Sequence, residues 1–258
     1  MNKIYVFDLG GTLMEYTSSL LQTGEYFSIR GFVKTVRESE HVDKRVCLQT
    51  RNFISACNLQ DGKKLSMPLN WSDFYVGGCS LINQRFNLGL SKTQIDQAVE
   101  ILKSHNPRIC GRQNEILAAD LFSMATKNWN VELDIPKAIE VFFENMKLTP
   151  VIYNYTIPLL QKLKSEGNII CCLTDLPSGM PDSIFKPSIT ELLSYFDLYV
   201  SSEVCGFRKP NKAGLEFIAN HFNRPVTDLI FIGDEQKDID CAKNAGCEFV
   251  HISKIIKL

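Results

Sequence analysis

Five polar side chains stand where apolar runs of this chain end or helices begin: Asp8, Thr174, Lys209, Asp234 and Asp238. Asp8 follows Ile4, Tyr5, Val6 and Phe7 and precedes Gly10, Gly11 and Thr12. A carboxylate at the carboxyl end of a buried parallel strand lies where open α/β sheets hold their ligands. Two glycines let the backbone turn tightly and approach a bound group, although many strands end in Asp-Gly turns for structural reasons alone. Thr174 offers a hydroxyl that can donate to a phosphoryl oxygen, but Thr after a strand is also common turn chemistry. Lys209 offers an ammonium that can neutralise an anion. On spacing alone it reads better as a solvated surface lysine, with Arg208 a rival. Asp234 and Asp238, beside Glu235 and Asp240, are dense in acid, which is unfavourable without a cation. Oxygen-only ligands suit Mg²⁺; helix capping accounts for one of these acids more easily than for all of them.

The elements that position these groups are legible as alternating patterns. Apolar strands are expected at 168–173, 196–200, 228–233 and 248–252, with helices at 158–165, 212–222 and 237–245 between them. Alternation of this kind implies parallel strands covered on both faces. Residues 18–149 read differently. Ser91 and Gln94 have capping-box spacing, Ile95, Val99 and Leu102 make one apolar stripe, and 113–126 and 136–146 continue in helical style. Strand patterns are scarce there, and the loops 62–68 and 76–79 are expected to be mobile. The expected architecture is α/β, a Rossmann-like parallel sheet core with an inserted, mainly α-helical cap. The core takes residues 1–17 and 150–258, and the cap residues 18–149.

Bulk properties exclude several function classes. With 28 Lys+Arg against 29 Asp+Glu, no global basic field argues for nucleic acid or an anionic membrane. Met1-Asn2-Lys3 leads directly into the first strand, leaving no room for a signal peptide, and no apolar run approaches the ~20 residues of a spanning helix. The cytoplasm is the expected location. Nine cysteines without a Cys-x-x-Cys read as buried free thiols, and four scattered histidines form no ligand pair. Cys171 and Cys172 should face opposite sides of their strand.

Taken as a set and in this order, the motifs Phe7-Asp8-Leu9-Gly10-Gly11-Thr12, Leu173-Thr174-Asp175, Arg208-Lys209-Pro210 and Gly233-Asp234-Glu235-Gln236-Lys237-Asp238 resemble the haloacid dehalogenase superfamily. The helix at 155–167 resembles the one preceding the family's second motif, and 238–246 its final helix. The resemblance implies a Mg²⁺-dependent phosphatase of small phosphorylated metabolites. Asp8 would attack phosphorus and form an aspartyl-phosphate. Asp8, the Gly10 carbonyl, Asp234 and Asp238 would hold the metal. Thr174 and Lys209 would complete the catalytic set, with Gly10, Gly11, Thr12 and Asp175 at the substrate phosphate. The expected partner is a small phosphorylated molecule, with neither nucleic acid nor membrane.

Two positions depart from the family pattern. Gly10 stands where family phosphatases carry a second Asp as general acid and base, a role worth ~10²–10⁴-fold in rate. The readings left open are an active phosphatase, a catalytically silent phosphoryl-ligand binder, and a phosphonate C–P hydrolase using a cap lysine. Dehalogenation fits poorly with a retained Asp234/Asp238 pair. Asp175 replaces a frequent Asn and is expected to point outward or cap a turn. Arg108 and Arg112 are expected in solvent, although a second anionic substrate group is an alternative. Glu15 is an alternative proton donor, and Phe53, Trp71 and Phe74 are expected in the cap core.

Overall fold

The computed structural model describes residues 3–20, 26–28 and 71–256. Five strands form one parallel sheet: β1 (Ile4–Phe7), β5 (Ile169–Thr174), β6 (Leu198–Ser201), β7 (Leu229–Gly233) and β8 (Glu248–His251), ordered β6-β5-β1-β7-β8. The short apolar runs expected from sequence are these strands, with ends shifted by a few residues. Strand β1 is central, flanked in register by Ile169–Cys172 and by Leu229–Ile232. The strand interiors are sealed on both faces, as a parallel sheet requires. Cys171 belongs to the apolar cluster on one face and Cys172 to that on the other, so their side chains diverge as expected.

A three-stranded antiparallel sheet leaves the core directly after Asp8. It pairs β2 (Met14–Leu20) with β3 (Tyr26–Ser28) and with β4 (Met146–Ile152). This ribbon straddles both positions expected to separate core from cap. Its apolar alternation is brief, Met14-Glu15-Tyr16-Thr17 in β2 and Met146-Lys147-Leu148-Thr149 in β4, and it breaks at Ser18-Ser19 and at Pro150.

Among the described residues the insertion has four longer helices: α1 (Trp71–Phe86), α2 (Lys92–Ser104), α3 (Ala118–Thr126) and α4 (Ile135–Glu144). Helix α2 begins at the expected capping box of Ser91 and Gln94. An aromatic cluster holds the bundle together. Phe142 packs edge-on against Phe74 and Phe122 at centroid distances of 5.2 and 4.9 Å, a favourable quadrupole arrangement. Phe74 is thus core, as expected, while Phe53 and the Trp71 side chain lie outside the described residues.

Two expectations for the insertion fail. Residues 76–79 are not a mobile loop but the middle of α1. A Cβ on Gly77 would stand 2.6 Å from Asn145 Nδ2, and one on Gly78 2.4 Å from the Phe142 ring. The glycine pair serves close helix–helix approach, which outweighs its poor helix propensity. Residues 113–117 are also not helical; this segment runs extended against the core, and α3 starts only at Ala118. The expected loop at 62–68 lies outside the described residues.

Helices α5 (Thr156–Ser165), α6 (Ala213–His221) and α7 (Gln236–Ala245) cover the sheet. Helix α7 ends at Gly246, whose φ of 80° supplies the left-handed turn. No described helix is long and apolar enough to cross a membrane.

Candidate active site

Chain topology brings the five expected side chains to one edge of the sheet. Asp8 extends the β1–β7 pairing through its amide, which donates to Ile232 O at 2.9 Å. The chain then turns back at once: Thr12 and Leu13 amides both donate to Leu9 O, and Gly11, with φ 72°, donates to Met14 O. Thr174 ends β5 beside β1. Asp234 follows β7, and Asp238 sits in the first turn of α7. Gly233 allows that turn, because a Cβ there would lie 2.6 Å from Asp238 Cβ. Asp238 folds back so that its Oδ2 accepts the amides of Asp234 and Glu235 at 3.2 and 3.0 Å. Capping and acid clustering, alternatives on sequence, therefore coexist in one residue.

Oxygens of Asp8, Asp234 and Asp238 all lie within 4.8 Å of one another. Between them stands Lys209, whose Nζ is 2.7 Å from Asp8 Oδ1 and 2.8 Å from Asp238 Oδ1. The Lys209 side chain is only 1% exposed, so the surface-lysine reading is wrong. Burial pulls its pKa down, but Asp238, Asp8 and Asp175 outweigh that and hold it well above the ordinary lysine value. The Lys209 ammonium is thus shared between two buried carboxylates. Three carboxylates against one ammonium leave a net negative charge, and that excess, on an all-oxygen donor set, fits a hard divalent cation such as Mg²⁺.

Thr12 departs from its expected place on the substrate. Its hydroxyl donates to Asp234 Oδ1 at 2.9 Å and its carbonyl accepts from Tyr155 Oη, so it orients the acidic cluster. Thr174 is buried, and Asp8, Gly10, Thr174, Asp175 and Lys209 all line a cavity of about 340 Å³.

Asp175 does not point outward. Its Oδ1 accepts the Lys209 amide at 3.0 Å, and its Oδ2 pairs with Lys237 Nζ at 3.0 Å. Burial raises its pKa, but Lys237, Lys209 and Arg208 more than reverse this and hold the carboxyl below its usual range. Lys237, which sequence reading passed over, also faces Glu235 at 3.2 Å. The signal for it was Asp175 itself, since a buried extra carboxylate requires a cation.

Arg112 is likewise no solvent arginine. It donates to His105 O, Asn114 O and Glu115, and its side chain is 13% exposed. Arg108 is more open, facing Glu235 at 3.9 Å. The cysteines divide: Cys79, Cys171, Cys172 and Cys241 are buried as expected, whereas Cys110 is exposed.

Comparison with known proteins identifies the family. The model of haloacid dehalogenase-like hydrolases matches residues 2–246. A phosphoglycolate phosphatase of Nitrosococcus oceani is 30% identical over 93 residues, 35% of this chain and 40% of that protein. One of Pseudomonas fluorescens is 26% identical over 128 residues, 47% of this chain and 45% of that protein. The chain thus spans less than half the length of either relative. Among solved structures, a HAD phosphatase from Thermococcus onnurineus aligns over 99% of this chain and 96% of its own, with 17% identity and a TM-score of 0.48. Four ordered motifs gathered at one sheet edge, and a family match running through all of them, lead to one assignment: the chain belongs to the haloacid dehalogenase-like hydrolases.

Proposed function

We propose that this hydrolase is a Mg²⁺-dependent phosphatase of small phosphorylated metabolites, acting through an aspartyl-phosphate on Asp8. The observation that carries the reading is the buried group of Asp8, Lys209, Asp234 and Asp238. In it one carboxylate faces the cavity with an ammonium at 2.7 Å, and the other two lie beside it. Asp8, Asp234 and Asp238, with the Gly10 carbonyl, would hold Mg²⁺, which when bound neutralises phosphoryl charge. An Asp8 oxygen attacks phosphorus and the bond to the leaving oxygen breaks. Water then attacks the acyl phosphate, releasing phosphate and restoring the carboxylate. Lys209 holds Asp8 in place and offsets charge on the phosphoryl group, and Thr174 donates to one of its oxygens. Asp175 acts by fixing the Lys209 amide, while Gly10 and Gly11 leave room for the phosphate.

The names of the relatives point to substrates in which a second anionic group accompanies the phosphate. Arg108, at the cavity wall, is suited to such a group. The phosphonate reading loses support, because among the described residues the lysines lining the cavity are Lys209 and Lys237, both from the core. In this reading the core comprises residues 1–17 and 150–258 and the cap residues 18–149, and the enzyme works on soluble metabolites in the cytoplasm.

Phosphate release from a panel of esters, with and without Mg²⁺, tests the proposal. Asp8→Asn should fold normally and lose turnover. Absence of release by folded wild type across the panel would leave a silent phosphoryl binder as the better account.

A further inference from the structure

The extended segment 113–115 of the cap lies antiparallel to 206–208 of the core, immediately before Lys209. Arg208 N donates to Gln113 O at 2.7 Å, Glu115 N donates to Gly206 O at 2.9 Å, and Asn114 bridges Phe207. Across this short ladder a cap carboxylate meets a core guanidinium. Glu115 is paired with Arg208 Nη1 through Oε2, and through Oε1 with Arg112 Nη1 at 3.0 Å and the Ile116 amide at 3.0 Å. Both members of the pair are almost withdrawn from water, with side chains 5% and 7% exposed.

Arg208 ties the surrounding loops together. Its Nη2 donates to Leu176 O at 2.6 Å, in the loop that carries Thr174 and Asp175. Its Nη1 also reaches Ser202 Oγ at 3.5 Å, and that same oxygen accepts the Leu176 amide at 3.1 Å. The next residue is Lys209, whose amide is held by Asp175. One guanidinium therefore joins the cap, the Thr174 loop and the Lys209 loop. A surface ion pair does not fix geometry in this way, but a buried planar guanidinium with several acceptors does.

We propose that Glu115 is a positioning residue of the active site, a cap-borne latch that couples seating of the cap to the placement of Lys209 through Arg208. The proposal rests on the phosphatase reading for its kinetic consequence and on the geometry alone for its structural one. When the cap is seated, Glu115 neutralises Arg208 and locks the 206–210 loop. When it lifts, Arg208 loses its anionic partner and the loop that orients Lys209 loses an anchor.

Two readouts on the full-length protein test this and separate it from the parent reading. The first is amide hydrogen exchange in Glu115→Gln, with Glu115→Asp as a milder second variant. Exchange at the Arg208 and Lys209 amides should quicken tenfold or more, while the amides of β1 and β7 keep wild-type protection. The second is steady-state hydrolysis of an aryl phosphate, where kcat should fall about 10–100-fold with KM changed less than threefold. Arg208→Gln should do the same, and the double variant should be no worse than either single one. A merely structural role would lower melting temperature yet leave kcat per folded site unchanged. Unchanged exchange at Lys209, or wild-type kcat in the folded variants, overturns the latch. If wild type itself releases no phosphate, the phosphatase reading fails, while the exchange result still decides whether the latch exists.

Discussion

Replacing Lys209 with Met removes the ammonium while keeping a stem of similar length beside the Phe231 ring, over which Nζ lies at 5.6 Å. Two carboxylates then face each other without the ammonium they share: Asp8, 3% exposed, and Asp238, fully buried. Their oxygens lie within 4.8 Å. At an effective dielectric of ~20 that separation gives about 3.5 kcal/mol of repulsion. Breaking a buried ion pair commonly costs a similar ~3–5 kcal/mol. At roughly 2–4 °C per kcal/mol for a chain of this size, Lys209→Met should melt about 6–20 °C below wild type in EDTA. The sign with pH follows from the raised Lys209 pKa: the ammonium's contribution is complete below about pH 10 and is lost only as pH climbs through the folded value. The deficit should therefore be constant from neutral to mildly alkaline pH. Two internal controls sharpen the measurement. Saturating Mg²⁺ should raise the melting temperature of the variant more than that of wild type, because the cation supplies the missing charge. Adding Asp238→Asn should recover part of the loss, since the amide keeps an acceptor for the Asp234 and Glu235 amides while removing one anion. Melting within 2 °C of wild type, or a double variant no better than the single one, would refute the electrostatic account.

Asp175→Asn should lose a charge-assisted contact to Lys237, destabilising by roughly 1–3 kcal/mol. Because the Asp175 pKa is depressed in the folded state, the gap to wild type should be flat above about pH 5 and close only below about pH 4, as followed by urea unfolding. Gly233→Ala should push Asp238 off its two amides, so that isothermal titration finds weaker Mg²⁺ binding and melting falls as well. Gly10→Asp should raise turnover of alkyl phosphates more than of aryl phosphates, because only poor leaving groups need a proton; equal changes in both would locate the proton source elsewhere.

What could be read from the sequence followed the range of the interactions. Strands β1 and β5–β8 declare themselves as short apolar runs, and α2 as a capped amphipathic stripe, because each depends on near neighbours. The motif residues were legible for the same reason: each sits at the end of such an element. The ribbon of β2 and β4 was missed because its pairing joins segments far apart and its alternation runs for only four residues in each strand. Gly77 and Gly78 looked like a loop because their partners, Asn145 and Phe142, belong to another helix. Lys209 looked exposed since nothing near it in sequence reveals that Asp8 and Asp238 converge on it. Glu115 and Lys237 were invisible as site residues for the reverse reason. Their partners Arg208 and Asp175 were noticed, but separately.

The central position of β1 has a consequence for how such a site comes into being. The strand that delivers Asp8 is made first, yet both neighbours that complete its hydrogen bonding, Ile169–Cys172 and Leu229–Ile232, emerge much later from the ribosome. Pairing across so long an interval is slow, and it leaves Ile4–Phe7 without its sheet neighbours until they emerge. The acidic cluster exists only after β7 has docked on β1. The carboxylate cluster therefore cannot assemble until Asp234 and Asp238, which follow β7, have been made, and a chain halted before β7 carries Asp8 without its acidic partners.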